Sequence, residues 1–205
     1  EYMKIKRVMN GLWAIILAAG ESKRMGFPKM LLIFNGRTML ENVIANVSGS
    51  DIDNILIVLG AENEALTKMV NKLSVKHCYN DNYKDGMLSS VKCGFRNLPS
   101  DLEAVLVFQG DQPLITPKVI NKVIEEYRSS DKGIIIPVYK KKRGHPILID
   151  RRYRNEIEML DAREGLRSLA YQFSDDVLEV ETDDPGILRD FDTFEEYKKE
   201  INQIL

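Results

Sequence analysis

The sequence predicts an α/β fold, with a mostly parallel central sheet flanked by helices. Three observations carry this expectation. Short apolar runs without alternation recur along the chain, patterns with one apolar helical face lie between them, and Gly, Asn or Asp bounds the runs.

The first run, WAIIL (13–17), belongs to an apolar stretch from Leu12 to Ala19. With Lys4, Lys6 and Arg7 before it and "AAG" closing it, the stretch imitates a short secretory signal. It sits at the bottom of the about 7–15 residues such a signal needs, and removing it would delete the most strand-like segment of the chain. It is therefore read as the first strand. Next, Met39, Leu40, Val43, Ile44 and Val47 keep one helical face apolar, with Thr38 as candidate N-cap. Strands follow in NILIVL (54–59), VKHCY (75–79) and AVLVF (104–108). Val119, Ile120, Val123, Ile124 and Tyr127 repeat the helical spacing, with Thr116 as candidate cap and Pro117 at the favoured first position. GIIIPV (133–138) is a further strand. The last third is less regular, with GHPILID (144–150), VLEVET (177–182) and a closing helix from about Thr193. No repeat, low-complexity linker or domain boundary is visible, so the 205 residues read as one domain.

Composition narrows the function. At 44% hydrophobic and 29% charged residues the chain has an ordinary globular balance. Its 29 basic and 31 acidic side chains give no basic excess of the kind a nucleic-acid binder needs. No apolar run approaches the roughly 18 residues that cross a bilayer. Cys78 and Cys93 have neither the number of a disulfide framework nor the spacing of a metal site, and read as reduced thiols of a cytoplasmic protein.

Ligands of open α/β sheets bind beyond the carboxyl ends of the strands, so the residues after each apolar run are the candidates. After the first comes AAGESKRMGFPK, where Gly20 and Gly26 can present backbone N–H groups and Lys23, Arg24 and Lys29 add positive charge. Such a loop suits a polyphosphate, though its spacing is neither a Walker A loop nor G-x-G-x-x-G; the plain alternative is a solvated basic loop. Asp111, in FQGDQPL, falls just past a buried strand, where a carboxylate can hold Mg²⁺ against phosphate oxygens, although Gly-Asp-x-Pro is also a common turn. In ILRDFDTFEEY, Asp192 either supplies a second carboxylate to that metal or caps the closing helix. Lys140 to Arg143 form either a solvated turn tip or an anion site, and His145 follows them between Gly144 and Pro146. With only His77 and His145 present, and His77 inside a strand, no hydrolytic triad can be assembled.

These residues resemble a known family. LAAGESKRMGFPK matches the signature L-A-[AG]-G-x-S-x-R-M-G-x-x-K of the molybdopterin nucleotidyltransferases, with Gly20, Ser22, Arg24, Met25, Gly26 and Lys29 in place. The likeness continues through YNDNYKDGMLSSVKCG, FQGDQPLITP, RGHPILI, LDAREGLRSL and DDPGILRDFDTFEEY. It implies a Rossmann-like fold of the nucleotide-diphospho-sugar transferase type, with a tail over 1–11, a nucleotide-binding half over about 12–112 and an acceptor half over about 113–205. It also implies an enzyme transferring CMP from CTP to molybdopterin with Mg²⁺ as cofactor, for which "LAAG" and "GDQPL", through Ala19 and Gln112, resemble the cytidylyltransferase branch. GTP, another phosphorylated acceptor, or a non-catalytic cofactor carrier for a molybdenum hydroxylase are the alternatives. Carried over by position, Leu17, Ala18, Ala19, Gly20, Ser22, Asn80 and Gly86 would contact the nucleotide. Arg24 and Lys29 would hold its phosphates, Asp111 and Asp192 the metal, and His145 would face the pterin.

Overall fold

The computed structural model describes residues 11–22, 28–60, 64–191 and 193–204. Lys4, Lys6, Arg7, Lys23, Arg24, Met25, Gly26 and Asp192, all named above, lie outside the described residues. In chain order the elements are strands β1 (Leu12–Ala18), β2 (Ile33–Phe34) and β3 (Arg37–Thr38), helix α1 (Met39–Ser48), β4 (Asn54–Gly60), α2 (Glu64–Lys72), β5 (Lys76–Asn80), α3 (Met87–Arg96), β6 (Ala104–Gln109) and α4 (Pro117–Ser129). There follow β7 (Ile134–Tyr139), β8 (Lys142–Arg143), β9 (Ile147–Asp150), α5 (Arg154–Met159), α6 (Arg167–Gln172), β10 (Val177–Glu181) and α7 (Phe194–Ile204).

The main sheet has the order β10-β7-β9-β6-β1-β4-β5, with β8 paired to β7; β2 and β3 form a separate ribbon. β1 pairs in parallel with both β4 and β6, and all seven of its residues are buried. Alternate side chains go to opposite faces. Leu12, Ala14, Ile16 and Ala18 join the core under α1, α2 and α4, while Trp13, Ile15 and Leu17 join the core under α3, α5 and α6. This double coverage is why the run shows no alternation in sequence.

The sheet departs from an all-parallel arrangement at β9, which runs antiparallel to both neighbours, β6 and β7. Its amino end therefore lies at the carboxyl edge of the parallel strands, carrying Gly144, His145 and Pro146 with it. A Cβ at Gly144 would stand 2.4 Å from the Ile187 carbonyl, and His145 N–H donates to that carbonyl at 3.1 Å. The DDPGILRD segment thus returns to this edge, and Phe191 packs there with Phe34, Met39 and Tyr197.

The caps divide. Thr38 forms a full capping box with Glu41 on α1. Thr116 occupies the N-cap position of α4 with Pro117 next, but its hydroxyl does not cap the helix and donates to Asp184 at 3.0 Å instead. At α7 reciprocal capping bonds run between Thr193 and Glu196. Lys140 and Lys141 form the tip of the β7–β8 hairpin, both with positive φ, and Lys140 to Arg143 are exposed, as a solvated turn requires. The thiols of Cys78 and Cys93 are free, with sulfurs 3.8 Å apart. Burial, with Cys93 beside it, pushes the Cys78 thiol up to about 12. Among the described residues no helix is long and apolar enough to cross a membrane.

Gly94 sets the distance of α3 from the sheet: a Cβ there would lie 2.7 Å from Ile15 Cδ1 and 3.0 Å from its Cγ2. Ile15 is fully buried and has nowhere to move. Gly94→Val is expected to lower stability by about 1–3 kcal/mol through overpacking, read as a fall in the urea midpoint at unchanged m-value.

Candidate active site

Three strand ends make the centre of the candidate site. Register pairs Leu17 of β1 with Gln109 of β6, and two residues before β9 His145 continues the row. The Gln109 amide nitrogen lies 3.4–3.5 Å from both ring nitrogens of His145. One step further, Gly110 donates its N–H to the Leu17 carbonyl at 2.9 Å. A Cβ on Gly110 would meet that carbonyl and the Met30 sulfur, each at 3.0 Å, so glycine lets the strand end and the Lys29–Leu31 turn close together.

That closure joins two residues far apart in sequence. Lys29 Nζ forms an ion pair with Asp111 Oδ2, and both side chains are largely buried, at 14% and 9% exposed. Lys29 N–H also donates to Ser22 Oγ at 3.0 Å, which ties the turn back to the loop after β1. The second carboxylate oxygen, Asp111 Oδ1, is buried and accepts no hydrogen bond among the described residues. A buried carboxylate with one oxygen on a lysine and one unfilled suits a hard cation such as Mg²⁺, which is commonly held by one or two carboxylates with substrate phosphates and water completing its shell. Among the described residues there is no cluster of three or more His, Cys, Asp and Glu side chains, so a cation here would depend on such outside oxygens.

Among the small residues after β1, Gly20 does not have a positive φ, and a Cβ there would meet nothing within 4 Å among the described residues. The strained position is Ser22, at φ 52°. Gly20 is exposed, while Ala18 and Ala19 are buried beside it. Gly60, which the sequence reading passed over, ends β4 so close to this loop that its Cβ would sit 2.8 Å from the Ala19 carbonyl.

Asn80 ends β5 and is buried. Its carboxamide donates to Ser89 and Ser90 Oγ at 2.8 and 3.0 Å and accepts from Asn82 N–H at 3.1 Å. It thus builds the loop into α3, whose N-cap is Gly86 at φ 98°. Tyr83 from this loop reaches Glu21 at 3.4 Å, so Asn80 and Gly86 flank the β1 loop without joining the Lys29–Asp111 pair. A cavity of about 190 Å³ lies against Asn80, Asp85, Ser89 and Lys92. Gln109 and Tyr83 are the additions that sequence reasoning missed; Gln109 was legible as the last residue of a run at the ligand edge.

Burial pushes the His145 imidazole down to about 4, against the opposing pull of the Asp111 carboxylate. His145 is therefore neutral at pH 7. Between about 4 and 6.5 the unfolded chain holds a proton on this residue that the folded chain does not, so stability rises with pH through that window. In metal-free protein this contributes up to about 3 kcal/mol between the two ends. His145→Gln is expected to flatten that part of the stability–pH curve, measured by urea titration from pH 4 to 7; an unchanged slope would count against the neutral imidazole.

Comparison with known proteins gives the family. The model of the family described as "MobA-like NTP transferase domain" matches residues 14–177. A probable molybdenum cofactor guanylyltransferase from Natranaerobius thermophilus is 34% identical over 125 residues, which is 61% of this chain and 59% of that protein. The molybdenum cofactor cytidylyltransferase of Escherichia coli K12 is 31% identical over 144 residues, 70% of this chain and 72% of that one. In fold, the crystal structure of Rv0371c from Mycobacterium tuberculosis H37Rv matches with a TM-score of 0.80 at 22% identity, covering 93% of this chain and 97% of that chain. With most of its first strand, its Asp111 turn and its antiparallel β9 inside the matched range, the chain belongs to the family of MobA-like NTP transferase domains and is a nucleotidyltransferase by type.

Proposed function

We propose that this chain joins CMP from CTP to the terminal phosphate of molybdenum-molybdopterin and releases pyrophosphate. The observation that carries this reading is the buried Lys29–Asp111 pair at the end of β1 and β6, with Asp111 Oδ1 unfilled. A protein that merely carried the finished cofactor would have no use for a lysine and a cation-holding carboxylate at a triphosphate site. The acceptor is inferred from the two relatives whose names concern the molybdenum cofactor. For CTP rather than GTP the support is Ala19 and Gln112. GTP is the second reading, favoured by the 34% identity to the guanylyltransferase.

In this reading the substrate triphosphate lies along the loop after β1, with Leu17 to Gly20 beside the base and ribose and Asn80 and Gly86 at the flank. Lys29, together with Arg24, neutralises the β- and γ-phosphates and then the leaving pyrophosphate. A cation 4 Å from a phosphate oxygen gains a gross attraction of about 4 kcal/mol at an effective dielectric near 20. Asp111 would hold Mg²⁺, with Asp192 as the second carboxylate. When bound, Mg²⁺ supplies charge neutralisation at the phosphates. A terminal phosphate oxygen of the pterin attacks the α-phosphorus in line; the new P–O bond forms as the bond to the β-phosphate bridging oxygen breaks.

The chemistry sets what His145 does. A phosphate monoester has its second pKa near about 6, so the nucleophile is already ionised at pH 7 and no side chain has to remove its proton. A neutral imidazole fits that requirement, since it orients the acceptor by hydrogen bonding without competing for protons. The reaction is assigned to the cytoplasm, with a molybdenum hydroxylase as the recipient of the product.

Pyrophosphate release from each nucleoside triphosphate, with molybdopterin and with or without Mg²⁺, tests the proposal. Turnover is expected with CTP and Mg²⁺; none with any nucleotide rejects the enzyme reading, and a preference for GTP rejects the choice of base. Lys29→Ala and Asp111→Ala are each expected to lower kcat/KM by at least about 10²–10³-fold with the circular dichroism spectrum unchanged. Wild-type rates in either would show that the reaction occurs elsewhere.

A further inference from the structure

The turn that closes β6 buries a second oxygen without a partner. Gln112 is only 4% exposed, and its side-chain oxygen, Oε1, accepts no hydrogen bond among the described residues. Its backbone N–H donates to the Gln109 carbonyl at 3.3 Å, so residues 109 to 112 form one tight turn. The preceding residue is Asp111, with its own unfilled oxygen.

Leaving one buried acceptor unsatisfied costs about 1–3 kcal/mol, and native proteins bury few of them. Two on consecutive residues, in a turn clamped by Gly110 against Leu17 and Met30, form a concentrated deficit. Leucine at this position would have similar bulk and no such penalty. Both unfilled atoms are oxygens, one from a carboxylate and one from a carboxamide, and both are acceptors only. Oxygens of these two kinds are the usual ligands of hard divalent cations.

We infer that Gln112 is a ligand-shell residue of the divalent cation held by Asp111, its side-chain oxygen completing that site directly or through one bound water. This rests on the reading of Asp111 given above and extends it to the neutral oxygen of the next residue in the same turn. The neutral donor has a consequence for charge. It adds an oxygen to the cation's shell without adding a negative charge, so the site keeps its pull on triphosphate oxygens.

Mn²⁺ binding to the purified full chain, followed by the electron paramagnetic resonance of the free ion, gives a readout independent of turnover. Gln112→Leu is expected to weaken Mn²⁺ binding by about 10–100-fold, while thermal stability of the metal-free protein is unchanged or raised because the unpaired carboxamide oxygen is gone. Gln112→Glu is expected to bind Mn²⁺ at least as tightly as wild type. If Asp111→Asn loses Mn²⁺ and Gln112→Leu does not, the inference is wrong and the Asp111 reading stands. If Asp111→Asn binds as wild type does, the cation reading itself fails, and this inference with it. Should Gln112→Leu fold poorly, Gln112→Glu decides: weakened binding in a folded Gln112→Glu protein overturns the inference, and equal or tighter binding supports it.

Discussion

The structure depends on a single strand that has no polar side chain and no exposed face. β1 can be stable only in the middle of a sheet with helices above and below, since each of its seven residues would otherwise leave apolar surface in water. Everything else is arranged around that requirement. β4 and β6 must flank it, two helical layers must cover it, and its carbonyl end must open onto a loop and not onto another buried layer. The candidate site is the place where that burial stops.

Burial also explains why charge at the site is informative. An ion pair taken out of water seldom adds net stability, because desolvation offsets most of the attraction. Lys29 and Asp111 are nevertheless held together, one from the loop after the first strand and the other from the turn after the sixth. A hydrophobic pair would satisfy the fold with less penalty. Retention of the charged pair is most simply understood through what the two groups do when a polyanion and a cation arrive between them.

Much of this was legible in the sequence, and the parts that were not have physical causes. Runs such as AVLVF and NILIVL announced strands because a doubly covered strand carries no other pattern. Asp111 was visible because it follows such a run directly. The direction of β9 was not visible, since an isolated stretch like ILID pairs equally well either way and only its neighbours decide. Glycine after a strand signals either a turn or an approaching ligand, and residue type alone does not distinguish the two. Thr116 looked like a cap, yet Asp184, 68 residues later, takes its hydroxyl, and no local rule could have anticipated that. Gln109 went unremarked because its significance lies across the sheet, in His145.

The reversed strand has a mechanical consequence. Because β9 is laddered to β6 on one side and to β7 on the other, the strands before and after residue 112 are bonded into a continuous plate. His145 and Asp111 are set on that plate next to each other, so no hinge can run between them without tearing a row of backbone hydrogen bonds. Enzymes that grip two substrates by folding one lobe onto another rely on such a hinge. Here the floor stays fixed, and whatever encloses the reactants must come from the loops along its rim.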